Sequence, residues 1–201
     1  MSLNEVLIDE LRDLYSAENQ LVKALPKSVK GSTDPQMKQL FRDHLEQTKG
    51  QVLRLREAFQ HLGKKPTGQH CSGMEGCIKE VQEALEKDEE GALKDAGLVG
   101  AALRVEHYEI AGYTAAIAIA KTLGQKEIVA LLTETLNEEK QAANNVVAGA
   151  KSILKQAESQ ADGDEDEDKK PKSTKEKESE RESEQDEAEA APEMNSAQKR
   201  K

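Results

Sequence analysis

The regular spacing of apolar residues near the start of the chain is the feature that most restricts its fold. Over the first thirty residues, large apolar side chains recur every three or four positions. This spacing places them on one face of an α-helix, as in helices that pack together in a bundle. One position on that face is a carboxylate, and carboxylates are rarely buried without a partner. The face comprises Leu7, Leu11, Leu14, Glu18, Leu21 and Leu25.

Four further segments show helical spacing, so the sequence predicts an all-α fold. Asp34 and Pro35 mark the start of the second helix, as an N-cap residue followed by proline at the first helical position. Gly63 and Gly124 mark helix ends, whereas Pro26 is expected to kink the first helix or end it early. The predicted helices cover about residues 3–30, 35–62, 72–88, 92–122 and 126–155.

The composition narrows the function classes. Aromatic residues make up 2% of the 201 residues, charged residues make up 34%, and the net charge is −10. This acidic balance argues against nucleic-acid binding, and no apolar run approaches the ~18 residues that cross a bilayer. Cys71 and Cys77 match neither a Cys-x-x-Cys redox motif nor the spacing of a zinc site. We therefore expect two reduced thiols in a cytoplasmic protein.

Large apolar residues almost disappear after about residue 155. A segment of such composition cannot bury enough apolar surface to offset the entropy that it loses on ordering. The sequence therefore predicts two regions. Residues 1–155 form a helical bundle domain, and residues 156–201 form a disordered, acidic and highly charged C-terminal tail.

Each of the four long predicted helices carries polar groups within its apolar face. A single case is explained by an edge residue or by an acid that reaches solvent, but here the positions also lie at matching heights. Antiparallel packing of the first two helices, and of the last two, brings these groups to one level. The groups that meet are Glu18 and His44 in one pair of helices, and Glu106, Glu109, Glu138 and Glu139 in the other.

Buried carboxylates repel one another and stay ionised together only beside compensating positive charge. No Lys or Arg lies on the four apolar faces, so a pair of divalent cations is the natural compensator. Oxygen ligands with one imidazole suit iron or manganese better than copper, and zinc prefers more nitrogen or sulfur. We expect two iron or manganese ions per chain. The predicted ligands are Glu18, His44, Glu106 and Glu139, with Glu109 and Glu138 as terminal ligands or as supports of the ligands.

Five segments carry a family resemblance: LRDLYSAENQLVKALPK, FRDHLEQTKGQVLRL, CSGMEGCIKE, ALRVEHYEIAGY and ETLNEEK. In this order, over about residues 3–150, they resemble the YciE/YciF family of bacterial stress proteins, a branch of the ferritin-like superfamily. The resemblance implies a ferritin-like antiparallel four-helix bundle with a short extra helix in the crossover between the second and third long helices. It also implies a homodimer and a dinuclear metal centre.

The chain departs from the usual carboxylate pattern of that superfamily, which is a Glu from each of two helices and Glu-x-x-His from each of the other two. The second helix offers His44-x-x-Gln47, and the third long helix offers Glu106-x-x-Glu109. The last helix has no His after its two acids. Because Gln47 is a poor ligand, an incomplete, an asymmetric and a weak site are all open alternatives. His107 points about 100° away from its neighbour on the helix, so we expect it to support a ligand or to lie at the surface.

Three functions are compatible with these observations. The favoured one is a di-metal oxidoreductase that acts on peroxide or oxygen, in which Tyr15 or Tyr113 either carries a proton or an electron or only packs. The second is a metal-free or metal-storing stress protein whose dimer is the functional form. The third is an interaction scaffold in which the acidic tail is the working part. The sequence contains no GxGxxG motif, P-loop or nucleophile elbow.

Overall fold

Five α-helices make up the part of the chain described by the computed structural model, which covers the backbone of residues 1–168 and the side chains of residues 1–160. The predicted all-α fold is confirmed, and each helix begins within one residue of its predicted start. In chain order the helices are α1 (Leu3–Gly31), α2 (Pro35–His61), α3 (Ser72–Glu86), α4 (Gly91–Thr122) and α5 (Lys126–Asp168).

Local sequence signals account for most helix boundaries. Ser2 and Glu5 form a reciprocal capping box at the start of α1. Asp34 caps α2 by accepting a hydrogen bond of 2.8 Å from the backbone N–H of Met37. Gly124, in the turn between α4 and α5, has a φ of +70°, which glycine adopts without the steric cost of a Cβ atom.

The sequence predicted that Pro26 kinks α1 or ends it early, and the helix does not end early. It continues through Pro26 to Gly31. Pro26 is exposed, so water can bind the backbone carbonyl that lacks an amide donor because of the proline ring. The missing hydrogen bond is therefore tolerated so close to the end of the helix.

Helix α5 extends beyond the predicted end of the domain at about residue 155 and reaches Asp168. Ala157 still packs into the core with 5% exposure, and the Gln160 side chain donates a hydrogen bond of 3.4 Å to the Glu90 carbonyl. The compact unit spans Met1–Gln160. The part of the predicted disordered tail at residues 169–201 lies outside the described residues.

The helices are connected as in an antiparallel bundle, with short turns between α1 and α2 and between α4 and α5. The longer crossover from α2 to α4 contains α3, which packs on α1 and α4. The turn between α1 and α2 is attached to α4 by Asp95, whose fully buried carboxylate accepts hydrogen bonds from the backbone N–H groups of Thr33 and Asp34. No helix within residues 1–168 is long and apolar enough to cross a membrane.

The core consists of two apolar clusters, one towards α3 and one towards the turn between α4 and α5. The first contains Leu21, Phe41, Val105 and Val146, and the second contains Leu14, Leu55, Tyr113 and Leu136, so every long helix contributes to both. Between these positions, each long helix carries buried polar residues on its core face. A polar layer therefore crosses the bundle between two apolar clusters.

Candidate metal centre

The polar layer is built from one or two helical turns of each long helix, flanked on both sides by residues of the apolar clusters. Burial of the flanking apolar side chains carries these polar groups into the interior, because one helix face holds both. All of the layer's acids and its histidine have at most 5% exposure. The buried polar residues of the layer are Glu18, His44, Thr48, Gln51, Glu106, Glu109, Thr135 and Glu139.

Four of the predicted ligands converge at the centre of this layer. His44, Glu106, Glu109 and Glu139 each offer a ligand atom, and these four atoms lie within 4.8 Å of one another. His44 Nε2 is 3.6 Å from Glu106 Oε1 and 3.9 Å from Glu109 Oε2. These separations exceed a hydrogen bond and suit ligand atoms that share one cation, since two atoms each about 2.1 Å from an ion lie at most about 4.2 Å apart.

Glu18 lies at the edge of the group. Its carboxyl is fully buried, and the hydroxyl of Tyr113 donates a hydrogen bond of 2.5 Å to its Oε1. The other oxygen, Oε2, has no partner. Tyr113 thus fixes one oxygen of Glu18 and leaves the second one available. The other tyrosine suggested by the sequence, Tyr15, lies apart from the layer, where its hydroxyl accepts a hydrogen bond from Arg56 Nε at 3.1 Å.

Glu138 is not brought into the group, although it precedes Glu139 in the chain. Its carboxylate is 25% exposed and forms an ion pair with Arg54. Gln51 donates hydrogen bonds to both acids, at 3.0 Å to Glu138 and at a shorter distance to Glu139. The two neighbouring acids therefore have different surroundings. Glu138 binds the side chain of Arg54, and Glu139 faces the interior.

Arg54 and Gln51 hold the carboxylates of this region although the sequence did not point to them. Gln51 lies on the core face of α2, one turn beyond Thr48, so its position was visible as a polar residue in the apolar pattern. Arg54 follows one turn later beside that face and contacts α5 through Thr135 and Glu134. No spacing rule singles it out, because its role depends on how α2 packs against α5.

The remaining residues considered from the sequence lie outside the group. Gln47 is half-buried at a cavity beside His44. His107 is exposed, with its Nδ1 at 2.8 Å from the Leu103 carbonyl of its own helix. His107 is therefore a surface residue.

The hydrogen-bonding capacity of the layer is largely unused. Within residues 1–160, every buried side-chain nitrogen or oxygen that has no hydrogen-bond partner belongs to this layer. Buried polar atoms are normally hydrogen-bonded, so a cluster of unpartnered buried atoms indicates a site that binds a ligand or an ion. These atoms belong to Glu18, His44, Gln51, Glu106, Glu109 and Glu139.

The electrostatics of the layer follow from burial. Burial, reinforced by the charges of neighbouring carboxylates, raises the pKa values of Glu18, Glu106 and Glu109 well above their ordinary range. Burial also raises the pKa of Glu139 to about 7 and lowers the pKa of His44 to about 4. Without cations, the layer at neutral pH therefore retains protons on Glu18, Glu106 and Glu109, is partly protonated at Glu139 and keeps its imidazole neutral.

Comparison with known proteins assigns the family. The model of the family described as a domain of unknown function (DUF892) matches residues 2–159. YciF of Escherichia coli (strain K12) is 38% identical to the chain over 162 residues, which are 80% of this chain and 98% of YciF. The chain belongs to the YciF family.

Solved structures of similar proteins agree with this assignment. The crystal structure of the E. coli stress protein YciF matches the YciF-family chain with a TM-score of 0.74 and 37% identity, covering 77% of this chain and 98% of that one. YcfI of Rhodopseudomonas palustris matches with a TM-score of 0.70 and 43% identity, covering 73% of this chain and 93% of YcfI. A ferritin-like, diiron-carboxylate protein of Bacillus anthracis str. Ames matches at 18% identity with a TM-score of 0.58. The match covers 75% of this chain and 99% of that protein. This last likeness shows the ferritin-like fold alone.

The donor set of this YciF-family chain fits metal ions. Four buried acids, Glu18, Glu106, Glu109 and Glu139, carry four negative charges when ionised, which two divalent cations balance. Arg54 does not take this role, because its guanidinium is already paired with Glu134 and Glu138. Carboxylate oxygens with one neutral imidazole are ligands for iron and manganese. The unpartnered atoms of these side chains are thus the atoms that cations require.

Proposed function

We propose that the polar layer holds a dinuclear carboxylate centre of iron or manganese, and that the protein acts on peroxide or oxygen in a stress response. The observation that carries this proposal is the set of buried, unpartnered oxygen and nitrogen atoms at the middle of the bundle. The description of E. coli YciF as a stress protein supports the biological setting, and a cytoplasmic homodimer is part of the proposal.

Each ligand has a defined role in this proposal. Glu106, Glu109 and His44 bind the cation nearest to α2 and α4, since their ligand atoms face one another. Glu139 and Glu18 bind on the side towards α5 and α1. When bound, two such ions act as Lewis acids and exchange electrons with peroxide or oxygen. Tyr113 holds Glu18 in place and has a proton to share with it.

A polar cavity gives this centre a route to solvent. It lies between α2 and α5, encloses about 720 Å³ including space open to solvent, and has His44 and Glu106 in its wall. Asp43, Gln47 and Asn145 also line it. An acidic and amide-lined opening suits hydrated cations and hydrogen peroxide, because both exchange hydrogen bonds with water for those of the wall.

Metal analysis tests the centre directly. The full-length protein is purified without chelators, loaded anaerobically with Fe²⁺ or with Mn²⁺, and desalted. We expect about two ions per chain in the wild type and at least tenfold weaker binding in Glu106→Gln. Glu138→Gln is the matched control, because it alters a neighbouring acid whose partner is Arg54, and it should retain its metal. Wild-type protein free of metal after loading with either ion would refute the centre.

The reaction is tested separately from the metal. The loaded wild type should consume hydrogen peroxide in the presence of a small-molecule reductant faster than the same protein after removal of its metal. Glu106→Gln should lose most of this rate, whereas Glu138→Gln should keep it. A loaded centre with no reactivity towards peroxide or oxygen would leave the metal site standing and reject the reaction.

A second function, a non-catalytic dimeric stress or interaction protein, is favoured by an apolar surface on α5. Val147 and Leu154 are 51% and 50% exposed, and their separation of seven residues places them on the same side of the helix. If metal analysis finds no centre, this face is expected to carry the function. Light scattering would then show a dimer for the wild type and a monomer for Val147→Glu combined with Leu154→Glu.

A further inference from the structure

The polar cavity between α2 and α5 is larger than a route for hydrogen peroxide or hydrated ions requires. The centres of water-sized molecules can occupy about 310 Å³ of it, whereas a single water needs about 10–15 Å³ by the same measure. Sites for small organic molecules begin at about 300 Å³. The cavity therefore has room for an organic molecule beside the proposed centre.

The wall of this cavity is polar near solvent and largely apolar where it is buried. Of the polar residues in the wall, Asp43 and Asn145 are exposed and Gln47 is half-buried. Water in contact with an apolar wall costs free energy, and an apolar group in the same place recovers it. The apolar residues of the wall, all buried except the half-buried first one, are Leu40, Phe41, Ala142 and Val146.

The inner end of the cavity offers unused hydrogen-bonding atoms. His44 and Glu106 line the cavity and have 5% and 4% exposure. Neither ring nitrogen of His44 nor Oε2 of Glu106 has a hydrogen-bond partner. An apolar wall that leads to such atoms suits a molecule with an apolar body and a small polar head, because the head finds partners where the body leaves water.

Contacts between α2 and α5 on both sides of the cavity fix its width. Towards the turn between α4 and α5, Gln51 donates hydrogen bonds to Glu138 and Glu139. On the opposite side, a Cβ atom added at Gly149 would lie 3.4 Å from Leu40 Cδ1, so the two helices are in contact there. The cavity is therefore bounded by the packing of the two helices.

We infer that this cavity binds a small, uncharged organic molecule with an apolar body and a hydroxyl or hydroperoxide head, and that organic hydroperoxides are the substrate class of the centre. Asp43 at the opening disfavours an anion. The choice of a hydroperoxide rests on the proposed function. Reduction of a hydroperoxide breaks its O–O bond and yields an alcohol and water. It takes up two protons from solvent and two electrons from a reductant such as ascorbate, which is oxidised to dehydroascorbate.

Binding is tested on the metal-free, full-length protein with 2-phenyl-2-propanol, the stable alcohol that corresponds to cumene hydroperoxide. Saturation-transfer NMR measures its affinity, and we expect saturable binding with a Kd in the millimolar range, which is usual for so small a ligand. A bulky side chain at the opening should obstruct entry, so Asn145→Phe on α5 and Gln47→Phe on α2 should each weaken binding at least fivefold. The matched control is Asn144→Phe, which alters an exposed neighbour outside the cavity wall and should change binding less than twofold.

Two results would overturn this inference: no saturable binding of the alcohol to the wild type, or wild-type affinity in both obstructed variants. Circular dichroism checks that each variant is folded. Asn145 is exposed, so its replacement tests the cavity even if Gln47→Phe does not fold.

The substrate class has its own measurement, on iron-loaded protein with ascorbate as the reductant. Asn145→Phe should raise the KM for cumene hydroperoxide at least fivefold more than the KM for hydrogen peroxide, which is small enough to pass the altered opening. Asn144→Phe should leave both values within twofold of the wild type. An equal rise for both peroxides would overturn the substrate class. Binding of 2-phenyl-2-propanol by a chain that takes up no metal would reject the proposed function and retain the cavity as a binding site.

Discussion

Two fully buried carboxylates of α4 differ in what surrounds them. Asp95 accepts hydrogen bonds from the backbone N–H of Thr33 at 3.0 Å and from that of Asp34 at 2.6 Å, and the Thr33 hydroxyl donates a further one. Glu109 has no hydrogen-bond partner at either oxygen. Both side chains have 0% exposure. Burial is the same in the two places, but the supply of hydrogen-bond donors differs.

This difference shows that a buried acid is by itself no sign of a metal. Asp95 is a structural residue, since the turn between α1 and α2 supplies its donors. Glu109 lies among Glu18 and Glu139, whose charges add to burial in raising its pKa. Glu138 stands between these cases, because it is partly exposed and has Arg54 as its cation. The missing donors, and not the burial, are what point to cations.

Metal loading should have the largest effect of the tests that follow from this comparison. Cations that bind the folded state alone stabilise it by about 4 kcal/mol when their concentration is a thousand times Kd. We expect a marked rise in Tm with Mn²⁺ in the wild type and the same rise in Asp95→Ala, because that residue takes no part in the centre. A rise lost in Asp95→Ala would remove the distinction between the two acids.

The second-largest effect on stability is expected for removal of Asp95, the buried acid that has hydrogen-bond donors. Asp95→Ala leaves the backbone donors of Thr33 and Asp34 without an acceptor, at a cost of about 3 kcal/mol in the free energy of unfolding. Urea unfolding of metal-free protein measures it. Glu109→Gln, the matched change in the unpartnered acid, should be neutral or stabilising under the same conditions, because an uncharged amide removes the cost of keeping the buried acid protonated. Equal losses in both variants would contradict the comparison.

The pH dependence of metal-free protein should distinguish the two kinds of acid. The folded-state pKa of Glu139 is raised to about 7, and those of Glu18, Glu106 and Glu109 lie well above their ordinary values. Between pH 6.5 and 8 the folded state thus binds more protons than the unfolded state, so the free energy of unfolding falls as pH rises. A fall of at least about 1.4 kcal/mol, equivalent to one pKa unit, is expected.

Two observations make this pH test specific. The lowered pKa of His44, about 4, gives a stability that rises with pH from about 4 to 6.5, so it does not contribute above pH 6.5. In metal-loaded protein the acids are already deprotonated by their cations, so the fall should disappear. Stability that is flat with pH in metal-free protein would mean that the acids are solvated.

The smallest effect is expected for the paired acid. Glu138→Gln removes one partner of Arg54, which retains Glu134 and Thr135. We expect a loss of about 0.5–1 kcal/mol, typical of a partly exposed ion pair, and the same loss with and without metal. A loss that depends on metal, measured by thermal unfolding in both states, would bring Glu138 back among the ligands.

The sequence predicted the framework well because its signals are local. Periodic apolar positions define the helices, and Asp34 and Gly124 define boundaries through backbone hydrogen bonding and φ. The same periodicity shows that polar residues interrupt each core face. It therefore predicted that polar groups of the long helices come to one level, and the ligand atoms of His44, Glu106, Glu109 and Glu139 lie within 4.8 Å of one another. That these residues bind metal stays a prediction.

The details of the layer depended on packing between helices. Glu138 and Glu139 differ by one residue and 100° of rotation, and both lie close enough to the core face to be candidates from spacing. The packing of α2 against α5 decides between them, by placing Arg54 beside one and the interior beside the other. Similarly, spacing does not show whether Asp95 meets the backbone N–H groups of a distant turn.

By itself, the sequence determined that this chain forms long helices with acids on their core faces, since helix periodicity and capping act over a few residues and need no tertiary information. The ferritin-like arrangement of these helices was implied by the family resemblance of five segments. Only the tertiary structure decided which acid accepts backbone hydrogen bonds, which acid pairs with Arg54 and which acids have oxygen atoms without a partner. It also decided that His44 and Glu106 line a polar cavity between α2 and α5. The reason is physical: hydrogen bonds and ion pairs depend on distances of a few tenths of an ångström between residues far apart in the chain.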